Sequence, residues 1–312
     1  MVEYAIYGKI IIDNIRLLDG SVVRGVLGGG GPQAAFGARL WSDSVGLLSR
    51  SGTDIPPDAV DMLQGLDIDL TGWVRYDDLP TLRGGMAYDD KQRLVPSALA
   101  EFDSTLQMAA WKGMLSRAIP LPDSYRKVRA IHLITEYWDE PMVKDALALR
   151  AQGAIFSLEP LVGFGDWANS EPLKEVLPQI DIVTPDFPAA SHLAQSEDPF
   201  HVMKYWSKLG ARAVAVRNSE FGSYAWDRDH DEIWHIPIIP VNVVDPTGAG
   251  NSYGGGWCVG WTESCDARVA GCYGAVSASF LVERVGLPRM TPELPREARA
   301  RLELALSNVK RL

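Results

Sequence analysis

Asp245-Pro246-Thr247-Gly248-Ala249-Gly250-Asn251-Ser252-Tyr253 is the stretch that decides how this chain is read. A proline and two glycines make a tight turn, and the residues beyond carry Trp257 and Trp261 at the i, i+4 spacing of a packed helix. The apolar Val241-Asn242-Val243-Val244 just upstream reads as a buried strand. Strand, glycine turn and helix in this order aim backbone N–H groups and the positive end of a helix dipole at one point, which makes an anion site.

Around that motif the chain alternates strand and helix signals. Apolar runs at Ile6–Ile12, Val45–Leu48, Ala130–Ile134, Ala154–Leu158, Ile180–Val183, Ala213–Val216 and Val241–Val244 have the unbroken character of strands buried on both faces. Helices separate several of them: Asp139–Gln152, opening on an Asp cap and closing at Gly153, and His201–Leu209, closing at Gly210. This rhythm predicts one α/β domain over residues 1–312, a mainly parallel sheet between helices. Asn14–Val26 and Asp67–Val95 break it and read as antiparallel strands forming a small lid, while Ser223–Ile238 reads as a hairpin with a charged turn at Asp227–Glu232.

Composition bounds the function. With 312 residues and 46% hydrophobic content the chain can bury a large core. Its 40 acidic against 30 basic residues leave a formal charge of −10, which argues against nucleic acid and anionic membrane surfaces as partners. No basic leader or apolar span is visible, so a cytosolic protein is expected. The histidines show no metal-ligand spacing, and no metal site from protein residues is expected. Cys258, Cys265 and Cys272 recur every seven residues, about 10 Å apart on a continuous helix and beyond disulfide reach; they read as buried thiols.

A second glycine motif lies near the N-terminus. Gly29-Gly30-Gly31-Pro32-Gln33-Ala34-Ala35 is followed by Ser42 and Gly52, and preceded by Gly8-Lys9-Ile10-Ile11-Ile12-Asp13. With this pair of motifs, in this order and separation, the chain resembles the PfkB, or ribokinase-like, carbohydrate kinase family over nearly its whole length. The family's C-terminal signature is D-x-T-G-A-G-D. The resemblance implies a three-layer sandwich with a β lid, ATP and Mg²⁺ as cofactors, a sugar or nucleoside as acceptor, and dimers through lid strands. It also implies the anion hole at Gly248, Ala249 and Gly250, a substrate site at Asp13, Gly29, Gly30 and Gln33, and nucleotide contacts at Asp186, Arg217, Ser219, Gly222, Asp245, Thr247 and Ser279. Ser279 is expected on a helix Ala275–Val285. Arg217 has two readings, a phosphate grip or a strand-end arginine paired with a nearby acid.

The chain departs from the family at functional positions. Gln33 stands for Asn, Ala189 for Glu in N-x-x-E, Ser219 for Gly, and Asn251 for the Asp that acts as catalytic base. An amide cannot accept the acceptor's proton, and general base catalysis is worth about 10²–10⁴-fold. Two functions follow from the resemblance: a slow small-molecule kinase, with Asp245 the nearest carboxylate in sequence to substitute for the base, or a non-catalytic member that binds a nucleotide or sugar for sensing or assembly. A dinucleotide-dependent oxidoreductase is disfavoured, because the first strand does not lead into G-x-G-x-x-G.

Overall fold

The computed structural model describes residues 1–17, 19–87, 104–161 and 170–312. In chain order the strands are β1 (Tyr4–Tyr7), β2 (Ile11–Arg16), β3 (Val22–Gly28), β4 (Val45–Gly52), β5 (Trp73–Tyr76), β6 (Leu82–Ala87), β7 (Ala130–Thr135), β8 (Ile155–Pro160), β9 (Ile182–Val183), β10 (Ala213–Arg217), β11 (Ser223–Asp227), β12 (Ile233–Ile236) and β13 (Lys310–Arg311). The helices are α1 (Gly31–Arg39), α2 (Pro57–Gln64), α3 (Ser104–Leu115), α4 (Pro141–Ala151), α5 (Ser170–Val176), α6 (Phe187–Ala194), α7 (Pro199–Trp206), α8 (Ala249–Ser264), α9 (Ala267–Val282) and α10 (Glu293–Asn308).

A ten-stranded sheet in the order β13-β12-β11-β10-β9-β8-β7-β1-β4-β5 is parallel from β10 to β5 and antiparallel beyond β10. Both faces are buried, as the unbroken apolar runs require. In β1, Tyr4 and Ile6 join a core containing Phe36, Trp257, Trp261 and Phe280, whereas Ala5 and Tyr7 join one containing Met142, Leu149, Met203 and Trp206. Strand periodicity thus distributes successive residues to two helical layers. Burying a side chain such as Ile6 or Phe156 contributes roughly 1.5–3 kcal/mol, and both are fully buried. The hairpin at residues 223–238 forms as expected, with Ser223↔Ile236 and Trp226↔Ile233 in register.

Several expected elements differ. The run Ile6–Ile12 is two strands: β1 pairs with β4 and β7, while β2 leaves for a second sheet of order β3-β2-β6. An apolar run reports burial but not which sheet buries it. In that small sheet β2 is antiparallel to β3 and parallel to β6, and β5 lies at the edge of the large sheet instead. The remainder of the expected lid, from residue 88 to 95, lies outside the described residues. Val241–Val244 is not a strand: Pro240 and Pro246 lie on either side of it without donors, Val243 and Val244 are exposed, and the Val244 and Asp245 amides donate to Val282 O.

Helix ends shift for identifiable reasons. α4 starts at Pro141 with Glu140, not Asp139, at the cap position, and the Glu140 carboxylate is taken by Tyr7 and Thr135. α9 begins at Ala267, well before Ala275, because Asp266 accepts from the amides of Arg268 at 2.8 Å and Val269 at 3.2 Å. α8 ends at Ser264, which leaves Cys265 exposed in a left-handed conformation while Cys258 and Cys272 are buried. The three thiols do not share one helix.

Candidate active site

The glycine turn before α8 is shaped from within. Asp245 Oδ1 accepts from the Thr247 amide at 3.0 Å and its hydroxyl at 2.7 Å. Gly248 caps the helix at φ +80°, and a Cβ there would come within 2.4 Å of Gln33 Cγ. A side chain is excluded by both strain and space. The Ala249 amide turns back to Pro246 O at 3.2 Å, so of the expected anion-hole residues Gly250, joined by its neighbour Asn251, presents the first-turn amides that helical geometry leaves without a partner.

The N-terminal glycine loop packs against this turn. A Cβ at Gly30 would meet Asn251 Nδ2 at 3.0 Å, so the two sequence motifs form opposite sides of one cleft. Gln33, expected in the substrate site, has both polar side-chain atoms engaged by backbone. It is buried, its Oε1 accepting from the Gly30 amide at 3.1 Å and its Nε2 donating to Leu27 O at 3.1 Å, and it latches the loop shut.

Asp13 lines a neighbouring cavity with Gly28, Gln33, Thr247 and Leu281. Neither oxygen of its buried carboxyl has a hydrogen-bond partner among the described residues, as suits a group waiting for ligand hydroxyls. Burial first and the nearby Asp245 second push its carboxyl up to about 7. A ligand that donates hydroxyls to Asp13 is expected to bind more tightly as pH rises from 6 to 8 and to lose this dependence in Asp13→Asn, as binding titrations at the two pH values would read. Because the folded-state value is the raised one, the Asp13 contribution to stability is present below about pH 4 and lost as pH rises through about 7.

Sequence reasoning missed a buried charge at the end of β8. Glu159 Oε1 accepts from Asn251 Nδ2 at 2.9 Å and from Arg217 Nη1 at 2.7 Å, and its Oε2 lies 3.5 Å from His132 Nε2. Burial pushes the Glu159 carboxyl up, but Arg217 and His132 outweigh it and hold the group below the usual carboxylate range. Arg217 therefore has its acid partner, while its guanidinium fills the space beside Gly250, where a Cβ would come 2.5 Å from Nη1. Asp245, the nearest carboxylate in sequence, gives its Oδ1 to its own turn, while its buried Oδ2 has no hydrogen-bond partner among the described residues; the carboxylate bonded to Asn251 is Glu159. The available signal was an acid closing an apolar run where parallel strands end and ligands gather. Lys9 and Glu136 were missed likewise: they pair in the interior, with Lys9 over the Trp111 ring at 4.4 Å.

The remaining expected residues divide. Asp186 precedes α6 and bridges backbone-to-backbone with Arg217, bringing both to the strand ends. Ser219 at φ +46° and Gly222 at φ +85° form the turn after β10. Ser279 is buried, donating to Val276 O at 2.7 Å and accepting from Arg301 of α10 at 2.7 Å, so its hydroxyl is engaged within the protein. Among the described residues no cluster of three or more acidic, histidine or cysteine side chains could hold a metal, and no helix is long and apolar enough to cross a membrane.

The pfkB family carbohydrate kinase model matches residues 100–294 of this chain. The chain belongs to the PfkB family. It is 25% identical over 263 residues to a cytidine kinase of Thermococcus kodakarensis, covering 84% of this chain and 90% of the relative. In fold it is similar to the adenosine kinase of Sinorhizobium meliloti (TM-score 0.74, 18% identity, 96% and 99% of the two chains) and to the Methanocaldococcus jannaschii nucleoside kinase, an archaeal ribokinase-family member (TM-score 0.66, 22% identity, 97% and 99%). These similarities establish the ribokinase-like sandwich: the helix-flanked, mainly parallel sheet with its separate small sheet.

Proposed function

We propose that this PfkB-family protein transfers the γ-phosphoryl group of ATP to a hydroxyl of a small molecule, a nucleoside or sugar. The observation that carries the reading is the cleft in which the α8 N-terminus, with Gly250 and Asn251, faces the Gly29–Gly30 loop. Phosphoryl transfer is mostly positioning and charge stabilisation, and a helix N-terminus supplies both to a phosphate. The residues fit a nucleoside triphosphate: first-turn amides for phosphate oxygens, and Asp186 with the 219–222 turn on the nucleotide side. Mg²⁺ would enter on the ATP phosphates, as it usually does in kinases, and would neutralise charge developing between them.

The acceptor would meet Asp13 and the Gly29–Gly30 loop. Similarity to the cytidine kinase over 90% of that relative's length makes nucleosides the acceptors to test first. Without a carboxylate at residue 251, turnover is expected about 10²–10⁴-fold below that of an enzyme with a positioned base. ADP release from Mg-ATP, measured over a panel of nucleosides and sugars, tests the reading, and turnover that depends on one acceptor is the expected result. Mg-ATP binding with no acceptor-dependent ADP release would instead favour a non-catalytic nucleotide-binding role, to which the amide at Asn251 also points.

A further inference from the structure

We propose that Glu159 is a positioning residue that fixes the side-chain orientation of Asn251 and makes a carboxylate at position 251 incompatible with its own. The carboxylate that bonds residue 251 is placed behind that residue instead of on it.

The geometry is specific. An ionised carboxylate only accepts hydrogen bonds, so the amide of Asn251 must turn Nδ2 to Glu159 Oε1, 2.9 Å away, and its Oδ1 is left as the acceptor. Asn251 is half-buried in the first turn of α8 and lies against Gly30, where an added Cβ would come 3.0 Å from Nδ2 and 3.4 Å from Oδ1; with Nδ2 engaged by Glu159, Oδ1 is the amide atom left to accept from a ligand hydroxyl. Glu159 is itself held: it is 1% exposed, Arg217 grips Oε1 at 2.7 Å, and His132, bonded to Ser157 at 2.8 Å through Nδ1, stands beside Oε2. Three strands thus place one charge behind one amide.

The consequence reverses the obvious repair. Asn251→Asp would set two carboxylates at hydrogen-bonding distance in a buried place, where both cannot ionise. Aspartate at 251 should be accepted only when residue 159 becomes the amide, which reverses the polarity of the same hydrogen bond. In Asn251→Asp/Glu159→Gln the amide introduced at 159 donates to the carboxylate introduced at 251, and its oxygen accepts from Arg217.

The test compares the native protein, Asn251→Asp, Glu159→Gln and the double variant in a mutant cycle. Thermal midpoints at pH 5 and pH 8 come first, because they require no activity. With Glu159 beside it, the carboxyl introduced at position 251 has a raised folded-state value, so stability falls as pH rises from about 4. Asn251→Asp is expected about 5 °C or more below native at pH 8 and closer to it at pH 5, with the double variant recovering most of the loss. His132, Arg217, Asp186 and Lys9, the other charged groups around Glu159, are common to all four proteins and cancel in the cycle. If Asn251→Asp fails to fold at pH 8, a double variant that folds there gives the same answer. Equal midpoints and additive effects at pH 8 would overturn the proposal.

Turnover supplies the readout that a merely structural role would not move, and only this arm rests on the kinase reading. The double variant should exceed Asn251→Asp by at least about 100-fold in kcat, the lower range of a positioned base. Equal gains from Asn251→Asp alone would overturn the positioning role. Coupled midpoints with silence from all four proteins would uphold the pairing and count against the kinase reading.

Discussion

Arg217→Ala is expected to lower the thermal midpoint by roughly 5–10 °C, the largest single-residue loss in the site. The reason is the charge it leaves behind. Glu159 is almost fully buried, and Arg217 Nη1 at 2.7 Å is its only cationic partner of fixed charge within ion-pair distance among the described residues. Removing one member of such a pair strands the other, at about 3–5 kcal/mol, whereas removing both is close to neutral. Arg217→Ala/Glu159→Gln should therefore recover most of the midpoint by calorimetry. Arg217→Lys should fall between, since an ammonium keeps the charge but not the planar fork. A midpoint unchanged in Arg217→Ala would mean that water reaches Glu159 and that the pair is not buried in solution.

Gly248→Val is expected to abolish the proposed phosphate site while leaving the large sheet intact. Gly248 holds φ +80°, where a β-branched residue is strained by about 1–3 kcal/mol, and its added Cβ would come within 2.4 Å of Gln33 Cγ. Gln33 cannot retreat easily, because its amide closes the loop between Gly30 N and Leu27 O. The first turn of α8 must then move, carrying the Gly250 and Asn251 amides with it. Loss of an aligned backbone donor costs about 10²–10³ in rate in comparable anion holes, and the rise in midpoint caused by Mg-ATP should vanish. Gln33→Ala in the same chain should not restore it, since the backbone strain remains. Mg-ATP protection retained in Gly248→Val would show that the nucleotide's phosphates bind elsewhere.

Local sequence was informative where local rules govern. The two glycine motifs, the apolar runs of β4, β7, β8 and β10, the 223–238 hairpin and the break at Gly153 were all legible, because turn chemistry and burial periodicity act over a few residues. Ile6–Ile12 and Val241–Val244 misled for a common reason: hydrophobicity records removal from water, not the partner that removes it. Ile11 and Ile12 are buried in the small sheet, and Val241 packs on the main core without a strand neighbour because prolines flank it. Ser279 was assigned to a ligand-facing edge, yet Arg301 from a later helix claims its hydroxyl.

By itself the sequence determined that the chain alternates strands and helices, that it carries two glycine motifs in a characteristic order and separation, and that residue 251 is an amide. Tertiary structure decided what that amide means. Glu159, Arg217 and His132 are far from Asn251 along the chain, and only the packing of the strands β7 to β10 beneath α8 brings Glu159 within hydrogen-bonding reach of both Asn251 and Arg217, with His132 beside it. Electrostatic interactions at this range fall off within a few ångströms of protein, so a charge matters by where folding places it. A sequence names each group that can carry the charge, and the sheet order selects the one that does.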